Sequence, residues 1–315
     1  AAQELAFTLA DGFGYVELGM DRGLHPDEFV PRFSFFFDAH IDFFEEIAKF
    51  RAGRRIWARW MKERYGATAE KAMLMRFHTQ TAGVSLTAPQ PDNNIVRTAI
   101  EALAGVLGGT QSLHTNALDE VLALPSDHAA RVALRTQQVI AEETGVTNVI
   151  DPLGGSWYVE WLTDEIERQC EDYFAQIEEM GGDGTITSGL LRGIETGWFS
   201  SEIADAAFDF QNRMDKGRFR MVGVNAHTET DEPDLEILRI SNEVGVKQAA
   251  AVAQVRAERD AAAVETTLQA LTEAAGTDEN LVPYIMDACR ADATVGEISK
   301  TLQSVWGTYT ENSVI

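Results

Sequence analysis

Cysteine is scarce in this chain, and long apolar runs are missing. The 315 residues include two cysteines, Cys170 and Cys289, which are far apart and have no metal-ligand spacing around them. A disulfide scaffold and a metal site are therefore not expected, and both thiols are expected to be small core residues. No apolar run approaches the roughly 20 residues of a membrane span, and no signal peptide is visible. We expect a soluble, cytoplasmic protein without a membrane partner.

Basic residues are also few, lysine above all. The chain has 26 Lys and Arg against 50 Asp and Glu, a formal net charge of -24, and six lysines. This balance argues against nucleic acid as a partner, because phosphate binding depends on Lys and Arg. Dispersed acids with few lysines favour a halophilic surface, where salt screens the self-repulsion. A merely acidic cytoplasmic protein is the alternative.

A predicted strand over residues 73–81 has one polar face. Side chains alternate across a strand. One face of the strand therefore carries Arg76, His78 and Gln80. The other face carries Met73, Met75 and Phe77.

A second predicted strand, residues 110–116, collects Ser112, His114 and Asn116 on one side. Between the two strands, residues 91–94 supply helix-capping chemistry, apolar side chains recur at helical spacing over residues 95–107, and a glycine pair ends the run. This strand–helix–strand order predicts parallel pairing.

A third, less regular strand is predicted over residues 30–37, with Arg32 and Ser34 on its polar side. Burying these polar side chains without hydrogen-bond partners would cost roughly 1–3 kcal/mol per unsatisfied group. Something polar should therefore occupy the space they face. The alternative is a one-sided sheet whose polar face meets solvent.

Helical patterns flank these strands. We predict a first helix in residues 1–20 that ends at residues 11–12, and a long helix over residues 39–64. The long helix carries a basic cluster at residues 51–55, which either makes salt bridges with the abundant acids or meets an anion such as a nucleotide phosphate. Strands and helices alternate to about residue 145, which favours an α/β barrel or an open doubly wound sheet.

The remainder of the chain is predicted to be mainly helical. Residues 151–156 form a turn-rich break, a long helix covers about 158–180, and an Ala-rich helical region begins near Pro233. We therefore divide the chain into residues 1–150, residues 151–232 as a helical connection, and residues 233–315 as a helical extension.

Several motifs in order resemble one known family. They are residues 51–55 (Arg-Ala-Gly-Arg-Arg), 77–83 (Phe-His-Thr-Gln-Thr-Ala-Gly), 93–99 (Asn-Asn-Ile-Val-Arg-Thr-Ala), 108–116 (Gly-Gly-Thr-Gln-Ser-Leu-His-Thr-Asn) and 151–156 (Asp-Pro-Leu-Gly-Gly-Ser). Together they resemble the large, catalytic subunit of methylmalonyl-CoA mutase, and the similarity continues through residues 294–298.

The resemblance implies a fold and a chemistry. It implies an α/β fold made of the last three strands and helices of a TIM (β/α)8 barrel, followed by a mainly helical extension. Family members hold the acyl-CoA along the barrel axis and adenosylcobalamin at the carboxyl end of the barrel. The cofactor carries the radical chemistry that interconverts methylmalonyl-CoA and succinyl-CoA.

The resemblance also assigns roles to individual residues. His78 and Gln80 would lie near the substrate thioester, and Asn116 and Glu120 would hydrogen-bond the adenosyl ribose. Gly83 and Ala123 would lie close to the corrin. Arg32 and Ser34 would contact the CoA.

Two departures from the family pattern qualify these roles. Val121 stands where the family usually has alanine, so the cofactor pocket is expected to be tighter there. A Tyr-His pair and a carboxylate-reading arginine lie upstream in the family, and the Asp-x-His-x-x-Gly cobalamin signature has no match. We therefore expect a fragment or one part of a split enzyme.

Such a chain would be inactive alone. Its expected partners are the acyl-CoA, the upstream half of the barrel and a cobalamin-binding subunit or domain, in an oligomer. A mutase acting on ethylmalonyl-, isobutyryl- or 2-hydroxyisobutyryl-CoA, or a non-catalytic assembly subunit, are the alternatives.

Overall fold

A computed structural model of the chain describes residues 1–229 and 235–310. These residues divide into two compact units, one reaching to Leu238 and the other beginning at Arg239. The predicted boundary between residues 232 and 233 lies outside the described residues, and the predicted boundary at residue 150 stays a prediction. Within the described ranges, no helix is both long enough and apolar enough to cross a membrane.

The first unit alternates helices with three strands. Its elements are α1 (Ala2–Asp21), α2 (Pro26–Phe29), β1 (Phe35–Ala39), α3 (Phe43–Glu63), α4 (Glu70–Met73), β2 (Phe77–Thr81), α5 (Asn93–Leu107), β3 (Ser112–His114), α6 (Asp127–Glu143), α7 (Trp157–Gly181), α8 (Ile186–Thr196) and α9 (Trp198–Asp215). Short 3₁₀ turns lie at Val30–Arg32, Gly83–Ser85 and Val146–Asn148. The second unit is helical, with α10 (Asn242–Glu258), α11 (Ala261–Ala275), α12 (Val282–Arg290) and α13 (Val295–Trp306).

The three strands form one parallel sheet in the order β1-β2-β3. Helices α3 and α5 connect successive strands, so the predicted strand–helix–strand unit and its parallel pairing are confirmed. The described chain is therefore a mixed α/β protein, mostly helical, and its sheet is consistent with part of a barrel.

All three strands differ in extent from their predicted ranges. β1 begins at Phe35 because Pro31, which lacks an N–H, lies in a 3₁₀ turn instead. β2 begins at Phe77, opposite Phe35, since the residues before it have no neighbouring strand to pair with. Arg32 and Met73 therefore lie outside the sheet.

The predicted alternation within the strands is confirmed. Phe77, Thr79 and Thr81 are buried on one side of β2, whereas His78 and Gln80 are only partly buried on the other. The apolar side packs on helices: the Phe50 ring of α3 stacks on Phe77 with centroids 5.0 Å apart. The polar side is open, and Ser112 and His114 of β3 are exposed.

Helix α1 is longer than predicted. The predicted end at residues 11–12 is wrong, because the helix continues to Asp21. A Cβ on Gly12 would lie 2.9 Å from Phe35 Cε1 and 3.1 Å from Trp57 Cζ3. Glycine at this position lets α1 pack closely on β1 and α3, and it does so without ending the helix.

The basic cluster of α3 is paired within the chain. Arg51 contacts Asp151 and lies 2.6 Å from Glu160 Oε1, and Arg55 lies 2.7 Å from Asp164 Oδ1. The salt-bridge interpretation of residues 51–55 is therefore confirmed for Arg51 and Arg55, since both arginines pair with acidic residues of α7 or of the turn before it.

The two cysteines lie in different surroundings. Cys170 is buried in α7, where its Sγ lies 3.4 Å from the Ala2 carbonyl oxygen, whereas Cys289 is exposed on α12. The expectation of two core thiols is wrong for Cys289, because a short helix with one buried residue, Ala288, cannot enclose its neighbour as well.

Candidate active site

Two predicted site residues lie on the polar face of the sheet. His78 is the register partner of Ser112, and its Nδ1 lies 2.7 Å from Ser112 Oγ. Gln80 is the register partner of His114, one step nearer the carboxyl ends of the strands. Polar side chains from two strands therefore form a shared surface, as the alternation predicts.

Asn116 lies just after β3 and has an unusual environment. Its side chain is 2% exposed, yet neither Oδ1 nor Nδ2 has a hydrogen-bond partner in the described chain. Its backbone N–H donates to Thr81 Oγ1 at 2.9 Å, which fixes the residue beside the end of β2. Leaving such an amide unsatisfied costs about 1–3 kcal/mol. It offers one donor group and one acceptor to a bound molecule.

Gly83, Asn116 and Glu120 surround the same small space. A Cβ on Gly83 would lie 2.8 Å from Glu120 Oε1 and 3.3 Å from Asn116 Nδ2. Only a residue without a side chain leaves this space open. The structure therefore brings together three residues that the family resemblance links to one cofactor.

The Glu120 carboxyl lies in an acidic environment. Glu120 is exposed as a residue, but partial burial of its carboxyl raises the pKa of this group, and the carboxyls of Asp38 and Asp119 raise it further. Asp119 is buried; its Oδ2 accepts from the Ser126 N–H at 2.9 Å, and its Oδ1 has no hydrogen-bond partner within the described ranges. A carboxyl in such surroundings favours a hydrogen-bonding neutral group, for example a hydroxyl, over a second anion.

A groove of about 630 Å³ opens beside this cluster, between the loop after β3 and α6. His114, Glu120 and Ala123 are among its lining residues. Val121 is 43% exposed and is not part of this lining in the described chain. The expected tightening of the pocket by Val121 stays a prediction.

Arg32 and Ser34 lie elsewhere. Both are exposed and precede β1, so they lie at the amino end of the parallel sheet, opposite to Asn116 and Glu120. Ser34 lines a separate groove of about 590 Å³ between α1 and the start of β1. The predicted site residues thus form one group at each end of the sheet.

A polar side of α5, which the sequence analysis missed, supports the loops of the site. Asn94 Nδ2 donates to the Thr87 and Leu118 carbonyl oxygens, each at 2.9 Å, and its Oδ1 accepts from the Thr87 N–H at 3.0 Å. Thr98 and Glu101 are also buried on this helix. Thr98 follows Asn94 by four residues, and Glu101 follows Thr98 by three, so all three lie on one side of the helix. Polar residues at this spacing in an otherwise apolar helix are a signal that could have identified a buried polar side.

Comparison with known proteins gives a consistent result. The Methylmalonyl-CoA mutase family model matches residues 1–308. The chain is 46% identical over 314 residues to the 2-hydroxyisobutanoyl-CoA mutase large subunit of Aquincola tertiaricarbonis, covering 99% of this chain and 55% of that protein. It is 44% identical over 308 residues to the methylmalonyl-CoA mutase of Escherichia coli (strain K12), covering 98% of this chain and 42% of that protein.

A eukaryotic relative gives a similar match. The chain is 44% identical over 310 residues to the probable mitochondrial methylmalonyl-CoA mutase of Caenorhabditis elegans, covering 98% of this chain and 41% of that protein. The chain therefore spans about half the length of the curated relatives it matches. Because the family model matches nearly the whole chain, the chain belongs to the methylmalonyl-CoA mutase family.

Proposed function

We propose that this chain is the carboxyl-terminal part of a TIM barrel, with its helical extension, in an adenosylcobalamin-dependent acyl-CoA mutase. The observation that carries the proposal is the buried, unpartnered amide of Asn116, which lies beside Glu120 and Gly83 at the carboxyl edge of the sheet. Barrel enzymes build their sites at that edge. Family membership supplies the reaction class.

The residues present fit an adenosyl group. Ribose hydroxyls both donate and accept hydrogen bonds, and Asn116 offers an acceptor and a donor that are unused in the described chain. Glu120 would accept from a hydroxyl in the same space, and Gly83 keeps that space open. Ala123 would lie next to the corrin with Gly83. Adenosylcobalamin, when bound, supplies the radical chemistry of the rearrangement.

The polar face of the sheet would hold the substrate. His78 and Gln80 lie along it toward the Asn116 end, where they could hydrogen-bond a thioester. The Ser112 hydroxyl, 2.7 Å from His78 Nδ1, orients the imidazole. Arg32 and Ser34, at the opposite end of the sheet, would contact the CoA. A CoA chain along this face would run from one group of residues to the other.

The proposed enzyme needs more protein than this chain contains. Its relatives are about twice as long, and we infer that an upstream barrel half and a cobalamin-binding subunit or domain complete the site. The isolated chain would then be inactive and would function in an oligomer. Cytoplasmic location also stays a prediction.

The substrate pair we favour is methylmalonyl-CoA and succinyl-CoA. A second candidate is 2-hydroxyisobutyryl-CoA, because the relative named for that substrate is 46% identical over 99% of this chain. The relatives named for methylmalonyl-CoA are 43–44% identical, so identity alone does not separate the two.

Reconstitution tests the proposal. The chain would be combined with an upstream barrel half and a cobalamin-binding module from a methylmalonyl-CoA mutase, and each acyl-CoA would be assayed for isomerisation. We expect turnover by the complex only. Glu120→Ala and Gln80→Ala should each reduce kcat by at least about a hundredfold, as for other groups that act on the reacting centre.

A cofactor-binding measurement separates the possible roles. Glu120→Ala should also weaken adenosylcobalamin binding, followed by its absorption spectrum, whereas Glu142→Gln on the exposed side of α6 should change neither quantity. Wild-type rates and affinities in both site variants would contradict the site. Normal cofactor binding without turnover of any acyl-CoA would favour a non-catalytic assembly subunit.

A further inference from the structure

The loop between β3 and α6 carries Glu120 and Ala123, two residues of the candidate site. Glu120 is exposed, and its carboxyl accepts no hydrogen bond from the residues that the structure describes. A Cβ on Gly83 would nevertheless lie 2.8 Å from Glu120 Oε1. The position of this carboxyl beside Gly83 therefore depends on the backbone of the loop.

Asp119, which precedes Glu120, is the last buried residue of this segment. Residues 115–119 are buried, and Asp119 is 0% exposed. Its Oδ2 accepts from the Ser126 N–H at 2.9 Å, which is the one hydrogen bond that this side chain makes in the described chain. Ser126 is the N-cap residue of α6, and its Oγ accepts from the Ala129 N–H at 3.3 Å. The Asp119 carboxyl thus joins the loop to a fixed point at the start of α6.

The backbone carbonyl of Asp119 organises the residues that follow it. This oxygen accepts from the Leu122 N–H at 2.9 Å and from the Ala123 N–H at 3.0 Å. Glu120 is joined to Asp119 by its peptide bond and Ala123 by a hydrogen bond, so a shift of Asp119 displaces both. One buried residue therefore sets the position of two residues of the site.

The segment before Asp119 is held by a different element. Asn94 Nδ2, on α5, donates to the Leu118 carbonyl oxygen at 2.9 Å. Among residues 119–126, the bond between Asp119 and Ser126 is the one side-chain hydrogen bond that joins two members of the loop in the described chain. Its removal should therefore loosen these residues and leave the preceding segment in place.

We propose that Asp119 is a positioning residue: its bond to the Ser126 N–H closes the loop over residues 119–126 and so sets Glu120 and Ala123 beside Gly83. The meaning of this placement for cofactor binding rests on the proposed function. The closure of the loop does not, since it concerns only contacts within this chain. Asp119 acts through its neighbours and not by contact with the reacting atoms.

Hydrogen exchange in the full chain measures the closure of the loop. Asp119→Ala should speed exchange of peptides covering residues 117–126 by roughly fivefold or more, because a local restraint is lost. Asp119→Asn keeps an oxygen that can accept from the Ser126 N–H, so its exchange should stay within about twofold of wild type. Asp127→Ala removes an exposed carboxyl at the start of α6 and is the matched control, with exchange expected to be unchanged.

The same bond can be removed from its donor side. Ser126 has a φ of −69°, which proline adopts, so Ser126→Pro deletes the N–H that donates to Asp119. Ser126→Ala keeps this N–H and loses the N-cap hydroxyl. Exchange in Ser126→Pro should match that in Asp119→Ala, and Ser126→Ala should stay within about threefold of wild type. The double variant Asp119→Ala/Ser126→Pro should be no worse than either single variant, since each removes the same bond.

Cofactor affinity of the reconstituted complex shows the consequence for the site. Asp119→Ala should weaken adenosylcobalamin binding by about tenfold or more, as expected when binding groups are misplaced, and Asp119→Asn should restore it to within about threefold of wild type. Gly189→Ala is the control for general destabilisation, because its clash with the Ile177 carbonyl oxygen lies at the crossing of α7 and α8. Its affinity should equal that of wild type.

Several outcomes would overturn the proposal. These are unchanged exchange in both Asp119→Ala and Ser126→Pro, equal losses in Asp119→Asn and Asp119→Ala, and a loss of affinity in Gly189→Ala as large as in Asp119→Ala. If Asp119→Ala does not fold, the comparison of Ser126→Pro with Ser126→Ala still decides. A wild-type complex that does not bind adenosylcobalamin would contradict the proposed function and leave the exchange results unaffected.

Discussion

At the scale of single residues, two buried asparagines give opposite expectations for stability. The Asn94 side chain bonds the backbone of Thr87 and Leu118, whereas the Asn116 amide has no partner in the described chain. Asn94→Ala should lower the free energy of unfolding by at least about 2 kcal/mol, since it leaves buried backbone groups unpaired. Asn116→Ala should change it by less than about 0.5 kcal/mol or increase it, because no bond is lost.

Urea unfolding of the two variants measures this difference. A loss above about 2 kcal/mol in Asn116→Ala would mean that its amide already serves the fold, and the argument for an unfilled ligand contact would be lost. The expected result is typical of a site that trades stability for function.

At the scale of secondary-structure elements, one buried lysine joins α1, β1 and α3. Lys49 Nζ lies 2.6 Å from Glu4 Oε2 of α1 and 2.6 Å from the Asp38 carbonyl oxygen of β1, and it also pairs with Glu46. Lys49→Met would leave the Glu46 carboxylate buried without a counter-charge. We expect a loss of about 3–5 kcal/mol in the free energy of unfolding.

The double variant Lys49→Met/Glu46→Gln tests the reason for this loss. The double variant avoids the unpaired carboxylate of the fully buried Glu46 and leaves only the partly exposed Glu4 without its lysine, so urea unfolding should show a smaller loss than in Lys49→Met alone. A double variant as unstable as the single one would indicate that the lysine stem, and not its charge, holds the three elements together.

A second element-scale prediction concerns the crossing of α7 and α8. A Cβ on Gly189 would lie 1.9 Å from the Ile177 carbonyl oxygen, whereas a Cβ on Gly245 of α10 would contact nothing within 4 Å. Gly189→Ala must push the helices apart and should cost about 2 kcal/mol or more. Gly245→Ala should stabilise its helix by about 0.5–1 kcal/mol. Hydrogen exchange of each helix reports the two effects separately, and a tolerated Gly189→Ala would contradict this packing.

The secondary-structure elements differ in how well the sequence predicts their faces and their ends. Period-two alternation located the faces of β2 correctly, because one face is buried against α3 and α5. Element ends are less predictable: the sequence pattern predicts a helix stop at Gly12, but this glycine instead accommodates the close approach of Phe35, which only the tertiary structure reveals. The buried side of α5 was missed because its polar residues bond to loops that are distant in sequence.

The candidate site was predictable to a different degree. Residue alternation placed His78 and Gln80 on one face, and the strands confirm it. The proximity of Gly83 to Asn116 and Glu120 depends on loops whose geometry no local pattern encodes. The family resemblance implies a role for each of these residues, whereas the distances between them are known only from the structure.

At the scale of the whole molecule, the sheet has open edges. β1 and β3 each pair with β2 alone among the described strands. Unpaired edges recruit other strands. We therefore expect that an added upstream barrel half suppresses self-association of this chain, as measured by light scattering; equal association with and without that half would contradict the proposed pairing.

The net charge of -24 leads to the last prediction, on salt. Several acids are paired, for example Glu167 with Arg55 and Arg59, but the excess of acids over bases leaves strong self-repulsion at low ionic strength. At 0.1 M salt the screening length is about 10 Å, and at 1 M about 3 Å. The melting temperature should therefore rise by at least about 5 °C between 0.1 and 2 M KCl.

A charge variant provides the matched control for this salt effect. Asp205, Glu142 and Glu143 are exposed and form no ion pair among the described residues. Changing all three to lysine lowers the self-repulsion, so this variant should melt higher than wild type at 0.1 M KCl and gain less from added salt. A wild-type melting temperature that stays constant or falls with KCl would favour the alternative of an ordinary acidic protein. A rise of equal size in wild type and variant would assign the effect to hydrophobic burial, because only the electrostatic contribution depends on the number of charges removed.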